Sequence, residues 1–172
     1  MVNASLSDGI VTLRPADAGD LGAIEVGLHD PEVVRWLGQP RGRAIDVIAL
    51  NEQRRVDGSP TLAITEATGD CLGLVWVNRH RSDRAIGYVG YWLLPSGRGR
   101  GLATRAVRLI TRWAIQDLGV TRLRVLVEPG NGPSQRVAEQ AGFRRVELLP
   151  GHGAVDDRTV DLLLYELPAD RD

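Results

Sequence analysis

Residues 93–107, "LLPSGRGRGLATRAV", set Gly97, Gly99 and Gly101 around Arg98 and Arg100 where a strand-like run meets a helix-like run. Glycine loses more conformational freedom on folding than any other residue, so this spacing marks backbone that turns sharply or lies close against something. The helix that follows begins with unpaired amides and the positive end of its dipole. A strand, a glycine turn and a helix start together suit a phosphate or pyrophosphate. The competing readings are a basic patch for nucleic acid and an ordinary turn. With 21 Lys and Arg against 22 Asp and Glu, and a formal charge of -1, the chain exerts no overall pull on nucleic acid or an anionic membrane.

The spacing narrows the ligand further. A nucleotide-hydrolysing P-loop needs a lysine followed by Ser or Thr after its last glycine, and "GLATRAV" has neither there. A dinucleotide fingerprint needs G-x-G-x-x-G, but the glycines run G-x-G-x-G and Thr104 stands where the next is required. Glu128, ending the following strand, resembles the acidic residue that contacts a ribose. A nucleotide-dependent protein therefore stays open as an alternative.

The surrounding pattern predicts a mixed α/β chain. "GIVTLRP" alternates as a strand, and "AGDLGAIEVGLHDPEVVRWLG" reads as two short helices bent at Asp30-Pro31. A helix from Arg43 to Val56 would bury Ile45, Ile48 and Ala49. "TLAITEATGDCLGLVWVNRH" reads as two strands joined at "ATGD", followed by the strand "AIGYVGYWLLP". Leu102, Ala106, Leu109, Ile110, Trp113 and Leu118 share one face of a long helix closed by Gly119. "RLRVLVE", a short helix from Ser134 to Ala141, "FRRVELL" and "TVDLLLYEL" complete the order, with "PGHGAVDD" as a loop. Hairpins early and strand-helix-strand late fit poorly with a doubly wound parallel sheet. The length, 172 residues with 43% hydrophobic content, predicts one domain over 1–172. Its ordered core would run from about 9 to 167, with a tail at 168–172.

"MVNASLSDGI" lacks a charged segment ahead of an apolar core, and no apolar run approaches the ~18 residues of a membrane span. Cys71 is the only cysteine and reads as a small buried strand residue. A cytoplasmic protein without disulfides, nucleic-acid partner or membrane association is expected. The histidines at 29, 80 and 152 form no metal-ligand spacing with Cys71, so no metal is expected.

"YWLLPSGRGRGLATRAVRLITRWA" resembles the acyl-CoA signature of the GNAT superfamily of N-acyltransferases, Arg/Gln-x-x-Gly-x-Gly/Ala after a strand, with Arg98, Gly101 and Ala103 in the motif positions. "GYWLLP" resembles the bulged strand before that signature. "NGPSQRVAEQAGFRRVE" resembles the later Asn-x-x-Ser, helix and Gly-Phe element. "VTLRPADAGDL" is similar to the opening of the ribosomal-protein type of N-acetyltransferases in the superfamily. The resemblance spans about residues 9 to 167.

It implies a mostly antiparallel sheet that splays open between its fourth and fifth strands, "AIGYVGYWLLP" and "TRLRVLVE", with helices flanking it. Acetyl-CoA would enter the gap as co-substrate. Its pyrophosphate would lie on amides from Gly99 through Arg100, Gly101, Leu102 and Ala103 to Thr104, with Arg98 and Arg100 able to add charge. Backbone of Trp92, Leu93 and Leu94 would hold the pantetheine arm, and Asn131 would bind it from the other side. The chemistry implied is direct transfer to a primary amine, of a small molecule or a protein N-terminus, in a ternary complex.

Such a transfer needs a neutral amine, a stabilised oxyanion and a protonated leaving thiolate. The amide near Leu94 is the oxyanion candidate, and the resemblance points to Ser134 for the thiolate, beside its reading as N-cap of the short helix. Glu128 is the candidate base, with Glu147, Asp161 and His152 as weaker ones. His29, Trp36, Trp76, Tyr88 and Tyr91 are candidates for the acceptor pocket, and Asp156-Asp157 for attracting a cationic amine. A succinyl or longer acyl donor and a non-catalytic acyl-CoA-binding module remain alternatives. The C-terminal strand offers a surface for a homodimer.

Overall fold

The computed structural model describes residues 5–40, 42–56 and 58–168. Among these residues, eight strands form one sheet in the order β1-β2-β3-β4-β5-β6-β8-β7. They are β1 Leu6–Ser7, β2 Thr12–Pro15, β3 Thr61–Thr65, β4 Cys71–Arg79, β5 Ile86–Leu93, β6 Arg122–Val127, β7 Arg144–Val155 and β8 Arg158–Pro168. Every neighbouring pair is antiparallel except β5 and β6, which are joined through a helix and run parallel. β1 precedes the strands marked in the sequence, so the expected fourth and fifth strands are β5 and β6. Pro168 belongs to β8, and the rest of the expected tail lies outside the described residues.

The helices are α1 Leu21–Leu28, α2 Pro31–Leu37, α3 Ala44–Val56, α4 Leu102–Leu118 and α5 Gly132–Gln140. Strand alternation divides the core between the two faces of the sheet. Leu62, Ile64, Val75, Val77, Val89 and Leu93 pack with α4, whose Ala106, Val107, Ile110 and Ala114 are fully or almost fully buried. Ala63, Leu74 and Trp92 turn to the opposite face, against Ile24 of α1, Val33 of α2 and Ala44 of α3. Asp30 separates α1 from α2, its carboxylate accepting from the Glu32 and Val33 amides while Pro31 takes the first turn. Gly119, at φ 66°, closes α4. Cys71 is buried, and burial pushes its thiol pKa up.

Two expectations need correction. α3 buries Ala44 and Asn51, with Val47 and Ile48 partly covered, whereas Ile45 and Ala49 face solvent. Asn51 decides the rotation: it donates to the Thr61 carbonyl at 2.6 Å and accepts the Thr61 amide at 2.8 Å, fixing that face on β3. The "PGHGAVDD" loop is instead mostly the outer half of β7, returning at Asp156 (φ 51°) into β8. Gly151, a breaker by sequence, donates its amide to the Asp161 carboxylate at 2.7 Å. A Cβ on Gly153 would stand 2.9 Å from Leu162 Cγ, so glycine lets the two strands pass closely.

Arg14 grips the buried Asp20 with two bonds of 2.7 Å, and the Asp17 amide adds a third at 2.9 Å. Burial pushes the Asp20 carboxyl up, but these bonds outweigh it and hold its pKa below the ordinary carboxylate value. A depressed folded-state pKa adds stability above the unfolded value, near pH 4, that is lost as pH falls through the folded one. Asp20→Asn should cost about 2 kcal/mol at neutral pH, because Arg14 loses its ionic partner while keeping partial contact with water. It should also flatten the fall of stability below pH 4, read by urea denaturation from pH 7 to 2.

Candidate active site

β5 and β6 pair only over Ile86–Tyr88 and Arg122–Arg124. Beyond these residues they part, while β4 keeps pairing with β5 as far as Leu93. The opening continues into a cleft of about 740 Å³ bounded by five stretches: Val89–Leu93, Gly97–Thr104 without Arg100, Val125–Glu128, the Asn131 end of α5, and α2 facing the β7-β8 hairpin. β6 stays paired with β8 along its whole length, Arg122–Val127, so the split lies on its β5 side alone.

The glycine turn forms one wall. Pro95–Gly97 make a single helical turn, then Gly99 at φ 71° and Gly101 at φ 74° adopt left-handed backbone. Gly101 opens α4 with no side-chain cap, and Leu102, Ala103 and Thr104 line the cleft with the first turn of amides. Both arginines brace this turn instead of pointing along it. Arg98 donates through Nε to the Leu93 carbonyl at 3.0 Å and through Nη2 to Asp30 at 2.5 Å. Burial pushes the Asp30 carboxyl up, yet Arg98 and the α2 amides hold it below its ordinary pKa. Arg100 reaches Glu66 at 2.8 Å and lies outside the cleft lining. What the turn can offer an anion is therefore its amides and the positive end of the α4 dipole.

Leu94 stands differently from expectation. Its amide donates to the Leu72 carbonyl at 2.8 Å, so it is committed to the sheet, and the residue is outside the lining. Peptide groups alternate sides along an antiparallel ladder. With Leu94 and Ile86 bonded toward β4, the amides of Tyr91 and Leu93 turn toward the gap. At this end of β5 the amide that faces the gap is that of Leu93, one residue before the sequence candidate. Trp92 lines the cleft while its ring packs on Gly27, where a Cβ would stand 2.2 Å away.

The opposite wall holds Glu128, Asn131 and Ser134. Asn131, not Ser134, caps α5: its Oδ1 accepts the Ser134 amide at 3.1 Å. Ser134 sits one turn inside, leaving its hydroxyl free of the capping role, and receives the Tyr91 hydroxyl at 3.3 Å. Glu128 Oε1 is buried and has no hydrogen-bond partner among the described residues. An orphaned carboxylate oxygen at the mouth of a gap is costly unless a ligand donor completes it.

Trp36 also lines the cleft, packed 3.5 Å from where a Gly130 Cβ would be, and its buried indole N–H has no partner among the described residues. Tyr91 lines it from the α4 side. The other acceptor candidates stand outside the lining. His29 is exposed at the end of α1 against Glu25, Trp76 lies across Gly90, and Tyr88 accepts from Arg124 at the closed end of the split. Glu147 and His152 are exposed, and Asp161 holds the Gly151 bulge. Asp156 accepts the Gln39 amide at 2.7 Å, tying the hairpin tip to the end of α2. Glu32, Leu37, Val155 and Leu162, none of them marked by the sequence, line the end of the cleft where α2 faces the β7-β8 hairpin. Only the tertiary meeting of α2 with the hairpin brings them together.

The acetyltransferase (GNAT) domain family matches residues 11–144. An N-acetyltransferase named p20 from Bacillus licheniformis is 23% identical over 163 residues, covering 91% of this chain and 92% of the relative. The spermidine N(1)-acetyltransferase of Escherichia coli (strain K12) is 26% identical over 140 residues, 77% of this chain and 72% of the relative. Among solved structures, RimL, a ribosomal L7/L12 alpha-N-protein acetyltransferase in complex with coenzyme A, superposes with a TM-score of 0.85 at 17% identity. That likeness covers 98% of this chain and 100% of RimL, and carries the fold alone. The family match begins in the residues leading into β2, takes in both walls of the split and ends as β7 begins, so the chain belongs to the GNAT acetyltransferase family.

Proposed function

We propose that the protein moves an acetyl group from acetyl-CoA directly to a primary amine carried on a largely apolar or peptide-like body, the α-amine of a protein N-terminus being the best-fitting case. The observation that carries this reading is the unpartnered Glu128 oxygen, buried beside the gap into which the Tyr91 and Leu93 amides turn. In this reading the pyrophosphate rests on the Gly99–Thr104 amides and the start of α4, and Asn131 contacts the pantetheine arm. The thioester carbonyl oxygen takes the Leu93 amide, which stabilises charge as it develops. Glu128 receives a proton from the incoming amine, directly or through water. The C–N bond forms, the C–S bond breaks with its electron pair on sulfur, and Ser134 gives its hydroxyl proton to that thiolate. Ser134 regains a proton, and Glu128 loses one, through solvent.

The acceptor end sets two carboxylates among mostly apolar walls. Glu32 and Glu128 stand there among Val33, Trp36, Leu37, Leu126, Val155 and Leu162, and the nearby Asp156 carboxylate is engaged by Gln39. A polyamine would bring further charges to apolar walls at a desolvation cost. RimL acts on a protein α-amine, whereas the Escherichia coli relative acts on spermidine. Calorimetry with acetyl-CoA, followed by release of CoA thiol across N-terminal peptides, monoamines and spermidine, separates these cases. Binding of acetyl-CoA with turnover on peptides or apolar monoamines is expected. Binding of NAD or ATP in place of acetyl-CoA would overturn the donor assignment, and fastest turnover with spermidine would overturn the acceptor class.

A further inference from the structure

We infer that Tyr91 is a positioning residue for the leaving group, its hydroxyl orienting Ser134 so that the serine proton faces the departing sulfur. Tyr91 lies on β5 one residue before Trp92, with its side chain on the α4 side of the sheet, away from the acceptor end. Its hydroxyl donates to Ser134 Oγ at 3.3 Å, across the split between β5 and the start of α5. That bond joins the two walls at the level of the cleft. At 3.3 Å it is long for a hydroxyl pair, and closure of the walls on a donor would shorten it, as catalytic bonds tighten in the Michaelis complex.

The capping geometry explains why Ser134 needs an orienting partner. Asn131 has taken the role of cap, so nothing in the α5 start fixes the Ser134 hydroxyl rotor. A serine hydroxyl has one proton and two lone pairs. A donor on a lone pair leaves the proton free to point elsewhere, and the cleft is the open direction. Burial pushes the Tyr91 pKa up, keeping the phenol a neutral donor across the working pH range. Tyr91 stays protonated throughout: the proton that reaches sulfur is the one on Ser134, and no bond to Tyr91 is made or broken.

This inference rests on Ser134 acting on the leaving thiolate, so the test separates the two. Wild type, Tyr91→Phe, Ser134→Ala and the double variant are compared for kcat, for the KM of the amine and for the Kd of acetyl-CoA. Phenylalanine keeps the ring in the core, so thermal midpoints should stay within a few degrees. Tyr91→Phe should lower kcat about threefold to tenfold, the effect of one lost neutral hydrogen bond, with Kd and KM unchanged. In the Ser134→Ala background the same change should have no further effect, because its target is gone. If Ser134→Ala lowers kcat but Tyr91→Phe does not, or if the two losses multiply, the positioning role is overturned and the serine role stands. An unchanged kcat in Ser134→Ala overturns both. A Tyr91→Phe effect confined to the Kd of acetyl-CoA makes the tyrosine a wall of the donor site and also overturns the inference.

Discussion

Glu128→Gln is expected to lower kcat by about 10²- to 10³-fold, within the range for loss of a positioned general base. Glutamine keeps the size and one acceptor oxygen, so acetyl-CoA affinity should change less than threefold by calorimetry, about the effect of one weak neutral contact. The same loss should appear in kcat/KM for the amine, which marks an interaction made in the transition state and not in uniform binding. The reason is structural. The Glu128 oxygen is already buried and unpartnered, so the fold bears its desolvation before the substrate arrives. If kcat survives and only the KM for the amine rises, Glu128 attracts the cation and leaves proton removal to water. A rise in acetyl-CoA Kd with unchanged kcat would instead place Glu128 on the donor side.

Gly73→Ala is expected to destabilise the protein by about 3 kcal/mol, lowering Tm by about 6–12 °C for a chain of this size. A Cβ on Gly73 would stand 2.1 Å from the Trp92 carbonyl oxygen and 2.9 Å from Leu93 Cα. Both obstacles are backbone, so no rotamer change relieves them. Because Gly73 pairs with Leu93, relief must come from displacing the end of β5 that borders the cleft. The variant should therefore also raise the KM for acetyl-CoA. Gly99→Ala is the control. It too must adopt a positive φ, 71°, but nothing lies within 4 Å of its Cβ, so it should cost only about 1 kcal/mol. Equal losses in the two variants would show that conformation, and not close approach, governs the Gly73 position.

Much of the scaffold is legible in short stretches. α4 declares itself by an apolar face repeating from Leu102 to Trp113 and by Gly119 at its end, and the glycine turn by its spacing. The β3-β4 hairpin follows from two apolar runs around a Gly69 turn at φ 80°. Each depends on neighbours a few residues apart. α3 was harder, since Ile45 and Ala44 serve its periodicity almost equally and the choice falls to Asn51 bonding Thr61 across the fold. The outer half of β7 was hidden because Gly151 and Gly153 break a strand pattern unless β8 supplies Asp161 and Leu162.

The site divides in the same way. Sequence alone determined the family resemblance, the glycine turn that leads into α4, and Glu128, Asn131 and Ser134 as residues at one strand end and the helix start after it. Tertiary structure decided which groups are free to act. Leu72 takes the Leu94 amide, Asp30 and Glu66 take Arg98 and Arg100, and the meeting of α2 with the hairpin selects Trp36 over His29, Trp76 and Tyr88 for the lining. The physical reason is that periodicity and turn chemistry act over a few residues, whereas the availability of an amide or a guanidinium depends on partners tens of residues away that only the folded chain brings within bonding distance.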